Sequence, residues 1–324
     1  MNATIGWGIL GAGAIATRFA TDIKNLPDAR LVAVGSRSQD KAAAFAADYG
    51  VERAHGSYEA LMSDPDVDAI YVATPHPFHC AHTIACLQHG KAVLCEKPMA
   101  INEGQVRQMV AAAQETGGFL MEAMWTRFLP VIAGVRQWLA EGKIGEPRIV
   151  KADFGFRSGW NPKGRLLNPM LAGGALLDVG VYVLAFASMV LGSNPVDVQA
   201  QAHLGETGVD EQTAITLRYA GGELAVLSCA VRTNMPQNAA ILGTEGMISI
   251  PDFWHATSAT LRVDGQEPVT INETMGYHYE AAEVMRCLRE GRQQSDVMPW
   301  DDSIAIARLM DQVRAQIGLT YPME

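Results

Sequence analysis

The chain has 324 residues, of which 48% are hydrophobic and 19% are charged, and its formal net charge is −10. This length exceeds one typical hydrophobic core, so we expect two domains, and the negative charge argues against binding to nucleic acid, whose affinity depends on neutralised phosphates. No basic region followed by an apolar stretch opens the sequence, and the apolar run at 175–191 is shorter than the roughly 20 residues that a bilayer requires. We therefore predict no secretory signal and no membrane association. The five cysteines form no C-x-x-C pair and indicate reduced thiols in a cytoplasmic protein.

The first predicted elements are a buried strand over Ile5–Leu10 and a helix over Ala14–Thr21, joined by a glycine turn. The turn matches G-x-G-x-x-A, in which the first glycine makes the turn and the second lets a pyrophosphate approach the backbone, while the small sixth residue packs helix on strand. The glycines at 6 and 8 spell a similar pattern but belong to the strand. The predicted dinucleotide-binding residues of the turn are Gly11, Gly13, Ala14, Ile15 and Ala16.

Strands and helices then alternate as a doubly wound parallel sheet requires. Further strands are predicted over Ala29–Gly35, Ala69–Ala73, Ala92–Cys95 and Phe119–Glu122, each separated from the next by helical sequence. This alternation predicts a Rossmann-type domain over residues 1–122.

The residues after the second strand indicate which dinucleotide binds. An NAD site usually has an acidic residue there, which holds the ribose 2′-hydroxyl. Here the chain reads Ser36-Arg37-Ser38, and no carboxylate appears before Asp40. A guanidinium and two hydroxyls are suited to a 2′-phosphate, so the sequence favours NADP. The alternative is that Arg37 lies on a solvated loop and binds nothing.

Two more strand ends supply candidate cofactor residues, because ligands of open parallel sheets bind outside the carboxyl ends of the strands. The residues concerned are Thr74, Pro75, His76 and His79 after one strand, and Glu96 and Lys97 after the next. Lys97 could instead pair with Glu96 on the surface. His79, His82 and Cys86 share a helical face, but no carboxylate or second thiol completes a metal site, so we predict none.

The pattern changes after Glu122. A helix is predicted over Leu129–Glu141 and a buried helix over Ala175–Leu191, with hairpin signals at Gly221-Gly222 and Asp264-Gly265. Residues 123–324 are therefore expected to form an α+β domain with a large, mostly antiparallel open sheet. Its predicted strands are Ile149–Phe156, Val196–His203, Thr213–Tyr219, Leu224–Arg232, Gly246–Ile250 and Ala259–Val263, and two further helices end the chain.

One stretch of this second domain carries polar residues inside an apolar helix. Gly173-Gly174 precede Asp178 and Tyr182, which are four residues apart and project from one helical face. A buried carboxylate without a partner is unfavourable. Asp178 is therefore either satisfied structurally, for example by a hydroxyl or backbone group, or it faces a cleft.

Taken together, these motifs resemble the glucose–fructose oxidoreductase and inositol dehydrogenase (Gfo/Idh/MocA) family over essentially the whole chain. The resemblance rests on G-x-G-x-x-A at 11–16, Thr74-Pro75 with His79, Glu96-Lys97-Pro98, and Gly173-Gly174 with Asp178 and Tyr182. Many members have His where this chain has Tyr182. Together with the segments at 121–128 and 276–280, that tyrosine resembles the dihydrodiol dehydrogenase and D-xylose 1-dehydrogenase (NADP) branch. The resemblance implies a homodimer or homotetramer formed through the large sheet.

The resemblance also implies an activity and residue roles. Lys97 and Tyr182 would form the acid/base pair, and Asp178 would position the substrate. The implied pocket comprises Trp125, Arg127, Phe154, Asp178 and Tyr279. A phenol with a pKa of about 10 is a poor base near neutral pH unless a cation stabilises the phenolate, and Lys97 would supply that charge. The expected enzyme is an NADP-dependent oxidoreductase acting on a sugar or a cyclic diol. An anhydro-sugar or keto-sugar reductase and a non-catalytic NADP-binding sensor stay open.

Overall fold

The computed structural model describes residues 4–324, which divide into two compact units. The first unit comprises the described residues up to Ala100, together with Gly104–Trp125 and Gly276–Ser303. The second comprises Ile101–Glu103, Thr126–Met275 and Ile304–Glu324. The units therefore interleave along the chain: their main boundary lies between Trp125 and Thr126, close to the predicted division after Glu122, and Gly276–Ser303 groups with the first unit.

The first unit is built on a six-stranded parallel sheet whose strand order is β3-β2-β1-β4-β5-β6. This is the doubly wound arrangement that the alternating pattern predicted, and the order reverses between β1 and β4. The elements are β1 (Ile5–Leu10), α1 (Ala14–Asp22), β2 (Ala29–Gly35), α2 (Gln39–Tyr49), β3 (Arg53–His55), α3 (Tyr58–Met62), β4 (Ala69–Val72), α4 (His79–Gln88), β5 (Ala92–Glu96), α5 (Glu103–Thr116) and β6 (Leu120–Ala123).

The glycines at 6 and 8 lie inside β1, as predicted, and contribute close packing instead of a turn. A Cβ at Gly6 would collide with the carbonyl of Asp66, so this strand passes directly against the segment that leads into β4. The buried residues of β1, β4 and β5 form the centre of the sheet.

The second unit contains an eight-stranded sheet in the order β14-β13-β12-β11-β7-β10-β9-β8. Every neighbouring pair is antiparallel except β7 and β10, which confirms the mostly antiparallel sheet. The elements are α6 (Pro130–Ala140), β7 (Pro147–Gly155), a π-helical turn (Leu176–Gly180), α7 (Val181–Leu191), β8 (Asp197–Leu204), β9 (Asp210–Arg218), β10 (Leu224–Ala230), β11 (Ala239–Gly243), β12 (Gly246–Ile250), β13 (Ser258–Val263) and β14 (Val269–Asn272).

Helix α7 packs against β7 and β10 and supplies much of the core of this unit. By length and composition the segment Pro169–Leu191 could cross a membrane, but 83% of its most apolar window is buried inside the protein. The predicted buried helix is thus found, with its first turn wound as a π-helix.

Two helices end the chain, α8 (His278–Arg289) and α9 (Trp300–Ile317). Residues near α8 bond to the first unit: the Tyr277 amide donates to Asp22 at 2.8 Å, and Arg289 pairs with Asp28 at 2.6 Å. The indole of Trp300 donates to the carbonyl of Leu120 on β6. These contacts explain why residues 276–303 group with the parallel sheet.

Candidate active site

The glycine turn after β1 has the shape that a dinucleotide pyrophosphate requires. Gly11 has φ of +106°, and a Cβ there would press on the carbonyl of Ala73 at 3.0 Å. A Cβ at Gly13 would meet no protein atom within 4 Å, so the backbone at the N terminus of α1 is accessible. Free N–H groups and the positive end of the helix dipole favour a phosphate at such a position. Ala16 is fully buried and lets α1 pack closely on the sheet.

The segment after β2 presents one cation and two hydroxyls. Ser36 is buried, and Ser38 caps α2 by accepting the amide of Lys41 at 3.4 Å. Arg37 is exposed and interacts with the hydroxyl of Tyr58. Burial lowers the pKa of the neighbouring His82 to about 4, and the charge of Arg37 acts in the same direction. Of the two side chains, Arg37 therefore carries the positive charge near neutral pH.

His79 joins two of the strand ends. Its ring is fully buried, with Nδ1 at 2.9 Å from the carbonyl of Pro98 and Nε2 at 2.6 Å from the carbonyl of Thr74. Burial lowers its pKa. We predicted His79 as a cofactor ligand. In the structure each ring nitrogen faces a backbone carbonyl, and because the neutral ring carries a single N–H it donates to one of the two, so His79 lies between the Thr74 and Lys97-Pro98 segments. Its role as a cofactor ligand stays a prediction. His76 packs its ring edge against His79 at 5.7 Å.

The end of β5 carries a buried carboxylate. Glu96 accepts hydrogen bonds from the hydroxyl of Tyr71 and from the amide of Lys97 at 3.1 Å, so it is not a solvent-exposed surface group. Glu280 is also fully buried, and neither of its oxygens has a hydrogen-bond partner among residues 4–324. Burial, and secondly the charge of Glu96, raise the pKa of Glu280 well above its usual range.

Two of the predicted pocket residues belong to this same unit. Trp125 is buried and stacks on Tyr277 with ring centroids 4.4 Å apart and an interplanar angle of 16°. Tyr279 is half-buried beside His278. The first unit thus holds all the predicted cofactor residues and two of the five predicted pocket residues.

In the second unit, Asp178 and Tyr182 are 3% and 5% exposed. Asp178 lies in the π-helical turn and Tyr182 in the first turn of α7. Nη1 of Arg165 donates to Oδ1 of Asp178 at 2.5 Å, and the side chain of Arg165 is 57% exposed. The carboxylate is therefore paired with a cation from an irregular loop, a structural partner that the sequence did not identify.

An aromatic cluster surrounds Tyr182. The ring of Phe154 lies 5.3 Å from that of Tyr182 and stacks on Trp254 at 4.9 Å and 18°. The indole of Trp254 is held by Gln237, to whose Oε1 it donates at 2.6 Å. We call Phe154, Tyr182 and Trp254 the aromatic wall. Arg127, also predicted in the pocket, is buried and donates to the carbonyl of Ala185 on α7.

A family described as "Oxidoreductase family, NAD-binding Rossmann fold" matches residues 5–124, and the GFO/IDH/MocA C-terminal domain matches residues 132–249. A trans-1,2-dihydrobenzene-1,2-diol dehydrogenase from Xenopus tropicalis is 41% identical over 98% of this chain and 99% of its own length. This chain belongs to the Gfo/Idh/MocA oxidoreductase family.

Solved structures agree with that assignment. A 3-ketoreductase from Actinomadura kijaniata, in complex with NADP and TDP-benzene, has a TM-score of 0.86 and 27% identity, covering 97% of this chain and 98% of its own. An aldose-aldose oxidoreductase from Caulobacter crescentus, complexed with glycerol, has a TM-score of 0.88 and 26% identity, covering 97% of both chains. This member of the Gfo/Idh/MocA family is therefore an oxidoreductase with an NAD(P)-binding Rossmann unit.

Three residues of this Gfo/Idh/MocA chain were missed at the candidate site: Arg165, Trp254 and Glu280. Arg165 lies in an irregular loop and Trp254 in a three-residue 3-10 helix (Phe253–His255), and both are too short or irregular for periodicity to give a signal. Glu280 lies in the 276–280 segment that contributed to the resemblance, and an acidic residue on the buried face of an amphipathic helix was an available signal.

Proposed function

We propose that this oxidoreductase is an NADP-dependent dehydrogenase acting on the carbinol carbon of a cyclic trans-diol or a sugar. The observation that carries the proposal is that Asp178 and Tyr182 are buried on one helical segment, with the ring of Tyr182 packed against that of Phe154. Relatives named trans-1,2-dihydrobenzene-1,2-diol dehydrogenase support the diol class.

The nicotinamide of the bound cofactor supplies the hydride acceptor or donor, and the protein supplies geometry and a proton path. Oxidation of a carbinol requires a base for the hydroxyl proton, and we assign that role to the phenolic oxygen of Tyr182. Lys97 is assigned as the cation that favours the phenolate, because a positive charge lowers the pKa of an acid. Asp178, kept in place by Arg165, accepts a hydrogen bond from a substrate hydroxyl.

The cofactor preference is assigned to the Ser36-Arg37-Ser38 segment. Arg37 is exposed and supplies the positive charge at the carboxyl end of β2, where an NAD enzyme places an acidic residue. A guanidinium binds phosphate through charge-assisted and bidentate hydrogen bonds. NADP bound to the 3-ketoreductase relative is consistent with this preference.

The aromatic wall supports a flat or ring-shaped substrate. Phe154 is 4% exposed and stacks nearly parallel on Trp254, so the faces between them are covered. We assign the accessible part of the half-buried Trp254 to contact with the apolar face of a cyclohexadiene diol or a pyranose. A sugar substrate, oxidised at C1 or formed by reduction of a keto-sugar, is the second candidate, and the aldose-aldose oxidoreductase and 3-ketoreductase relatives favour it.

We further propose a homodimer or homotetramer formed through the large sheet. Leu224 and Val226 on β10 alternate with buried neighbours and are 40% and 47% exposed. β10 lies inside the sheet, between β7 and β9, so these side chains stand on its open face. Val226→Glu is expected to yield monomers in light scattering, whereas an unchanged mass would contradict this interface.

An initial-rate screen tests the activity. NADP and NAD are each supplied with trans-dihydrodiols, aldoses and inositols, and NADPH is supplied with keto-sugars. Turnover of a trans-dihydrodiol or an aldose with preference for NADP is expected, and the identity of the best substrate separates the two candidates. Tight NADPH binding without turnover of any of these compounds would contradict the proposal and favour the non-catalytic sensor.

A further inference from the structure

The helical segment that carries Asp178 and Tyr182 begins on a buried carboxylate from a different element. Asp210, the first residue of β9, is 0% exposed. Its Oδ2 accepts the amide of Leu176 at 2.8 Å and the hydroxyl of Thr213 at 2.8 Å. Leu176 is the first residue of the π-helical turn, so Asp210 satisfies an N–H that has no acceptor within the helix.

The two glycines before this turn make room for the carboxylate. Gly174 has φ of +118°, and a Cβ there would collide with Oδ1 of Asp210. A Cβ at Gly173 would meet the carbonyls of Arg165 and Leu166 at 2.8 Å. The Gly173-Gly174 pair is therefore explained by the close approach of Asp210 on one side and of the Arg165 loop on the other.

No cationic side chain among residues 4–324 pairs with Asp210, and only N–H and hydroxyl dipoles face it. Burial raises its pKa to about 7, with the bonds from Thr213 and from the Leu176 amide opposing the rise. The titratable groups that its charge affects are the thiol of Cys229 on β10 and the phenol of Tyr321, and it raises the pKa of both. Tyr321 itself donates to the carbonyl of Gly173 at 2.8 Å.

We propose that Asp210 is a positioning residue for the reaction, whose ionised carboxylate orders the N terminus of the segment that carries Asp178 and Tyr182. The inference rests on the proposed function of those two residues. A negative charge at a helix N terminus is stabilising, and its loss loosens the first turn. Turnover then depends on the ionisation of Asp210, whereas NADPH binding, which uses the first unit, does not.

The test compares kcat of the wild type and Asp210→Asn between about pH 5.5 and pH 8.5. The variant stays neutral at every pH, so the ratio of wild-type to variant kcat should rise from near 1 to about 10–30 with a single midpoint near pH 7. A ratio that is constant over this range would overturn the proposal. Asp64→Asn removes a buried carboxylate of the first unit and should give such a constant ratio.

A second variant and a second measurement keep the result decisive if Asp210→Asn folds poorly. Thr213→Val removes a bond that stabilises the carboxylate, so its midpoint should move to higher pH, and an unchanged midpoint would contradict the proposal. Hydrogen exchange of a peptide spanning 173–182 should be faster in Asp210→Asn than in wild type at pH 8 only. If the wild type turns over none of the screened substrates but shows this exchange difference, the proposed function fails and the helix contact stands.

Discussion

Replacing Arg37 by alanine tests the cofactor assignment most directly. Arg37 is exposed at the carboxyl end of β2 and interacts with the hydroxyl of Tyr58. A unit charge pair at about 4 Å interacts by about 1 kcal/mol in water and about 4 kcal/mol at an effective dielectric constant of about 20. For an exposed guanidinium on a phosphate we take about 2 kcal/mol, which is about 30-fold in Kd.

The assay is fluorescence titration of wild type and Arg37→Ala with NADPH and with NADH. Arg37→Ala should weaken NADPH by about 30-fold and leave NADH nearly unchanged, because NADH has no 2′-phosphate. Raising the salt concentration should reduce the difference in NADPH Kd between wild type and Arg37→Ala, because salt screens exposed charges. Arg30→Ala is the matched control, because Arg30 is an exposed arginine at the opposite end of β2 and pairs with Glu52 at 3.4 Å.

Equal weakening of NADPH and NADH by Arg37→Ala would refute the reasoning, because it would show that Arg37 supports the shape of the loop. An unchanged NADPH affinity would return Arg37 to the alternative of a solvated loop residue. In either case the glycine turn would still bind the pyrophosphate, and the preference for NADP would have to reside elsewhere.

Four further outcomes are expected. Tyr182→Phe should lower kcat by at least about 100-fold with unchanged NADPH binding in fluorescence titration, and retained turnover would remove its acid/base role. Arg165→Gln should raise the substrate KM about fivefold, a modest effect because the arginine is 57% exposed. Lys163→Gln, on the same loop, should leave the substrate KM unchanged. Gly174→Ala should lower the free energy of unfolding by about 3 kcal/mol in urea, because φ is +118° and the methyl group would displace Asp210. Finally, Asp210 has a folded pKa of about 7 against an ordinary value of 3.8, so the folded chain binds this proton more tightly, and its contribution to stability falls as pH rises from about 4 to about 7. The stability of wild type relative to Asp210→Asn should therefore decline by up to about 4 kcal/mol over that range, and a constant difference would contradict the raised pKa.

The parallel sheet and its cofactor edge were predictable because their signals are local. Gly11, Arg37 and Lys97 each follow a buried strand directly, and parallel strands bring their carboxyl ends to one edge. Three strands, β3, β11 and β14, were not predicted. β3 has only three residues, and three of the four residues of β14 are exposed, so neither shows the alternation of a half-buried strand. β11 has five residues, Ala-Ala-Ile-Leu-Gly, and so short an apolar run has no period that identifies it as a strand.

The partners of Asp178 and Tyr182 were not predictable in the same way. Arg165 reaches Asp178 from an irregular loop, Trp254 stacks on the Phe154 ring that packs against Tyr182, and Asp210 contacts the same helical turn from the start of a strand. These contacts depend on tertiary packing, which no residue spacing encodes. The grouping of α8 with the first unit has the same origin, since it accompanies buried apolar side chains of α8 and bonds between residues distant in sequence.

Two carboxylates, those of Asp178 and Asp210, contact the helical segment that carries Tyr182. Their different environments indicate different roles. Asp178 lies within the segment and is matched by the guanidinium of Arg165, whose exposed position leaves the pair adjustable. Asp210 lies beneath the first turn and is matched only by N–H and hydroxyl groups, so its ionisation lowers the stability of the fold while it orders the turn. A group retained at a cost in stability is a candidate for function, because packing alone would favour a neutral side chain. The same reasoning distinguishes the two variants: Arg165→Gln should act on substrate affinity, and Asp210→Asn on turnover and its dependence on pH.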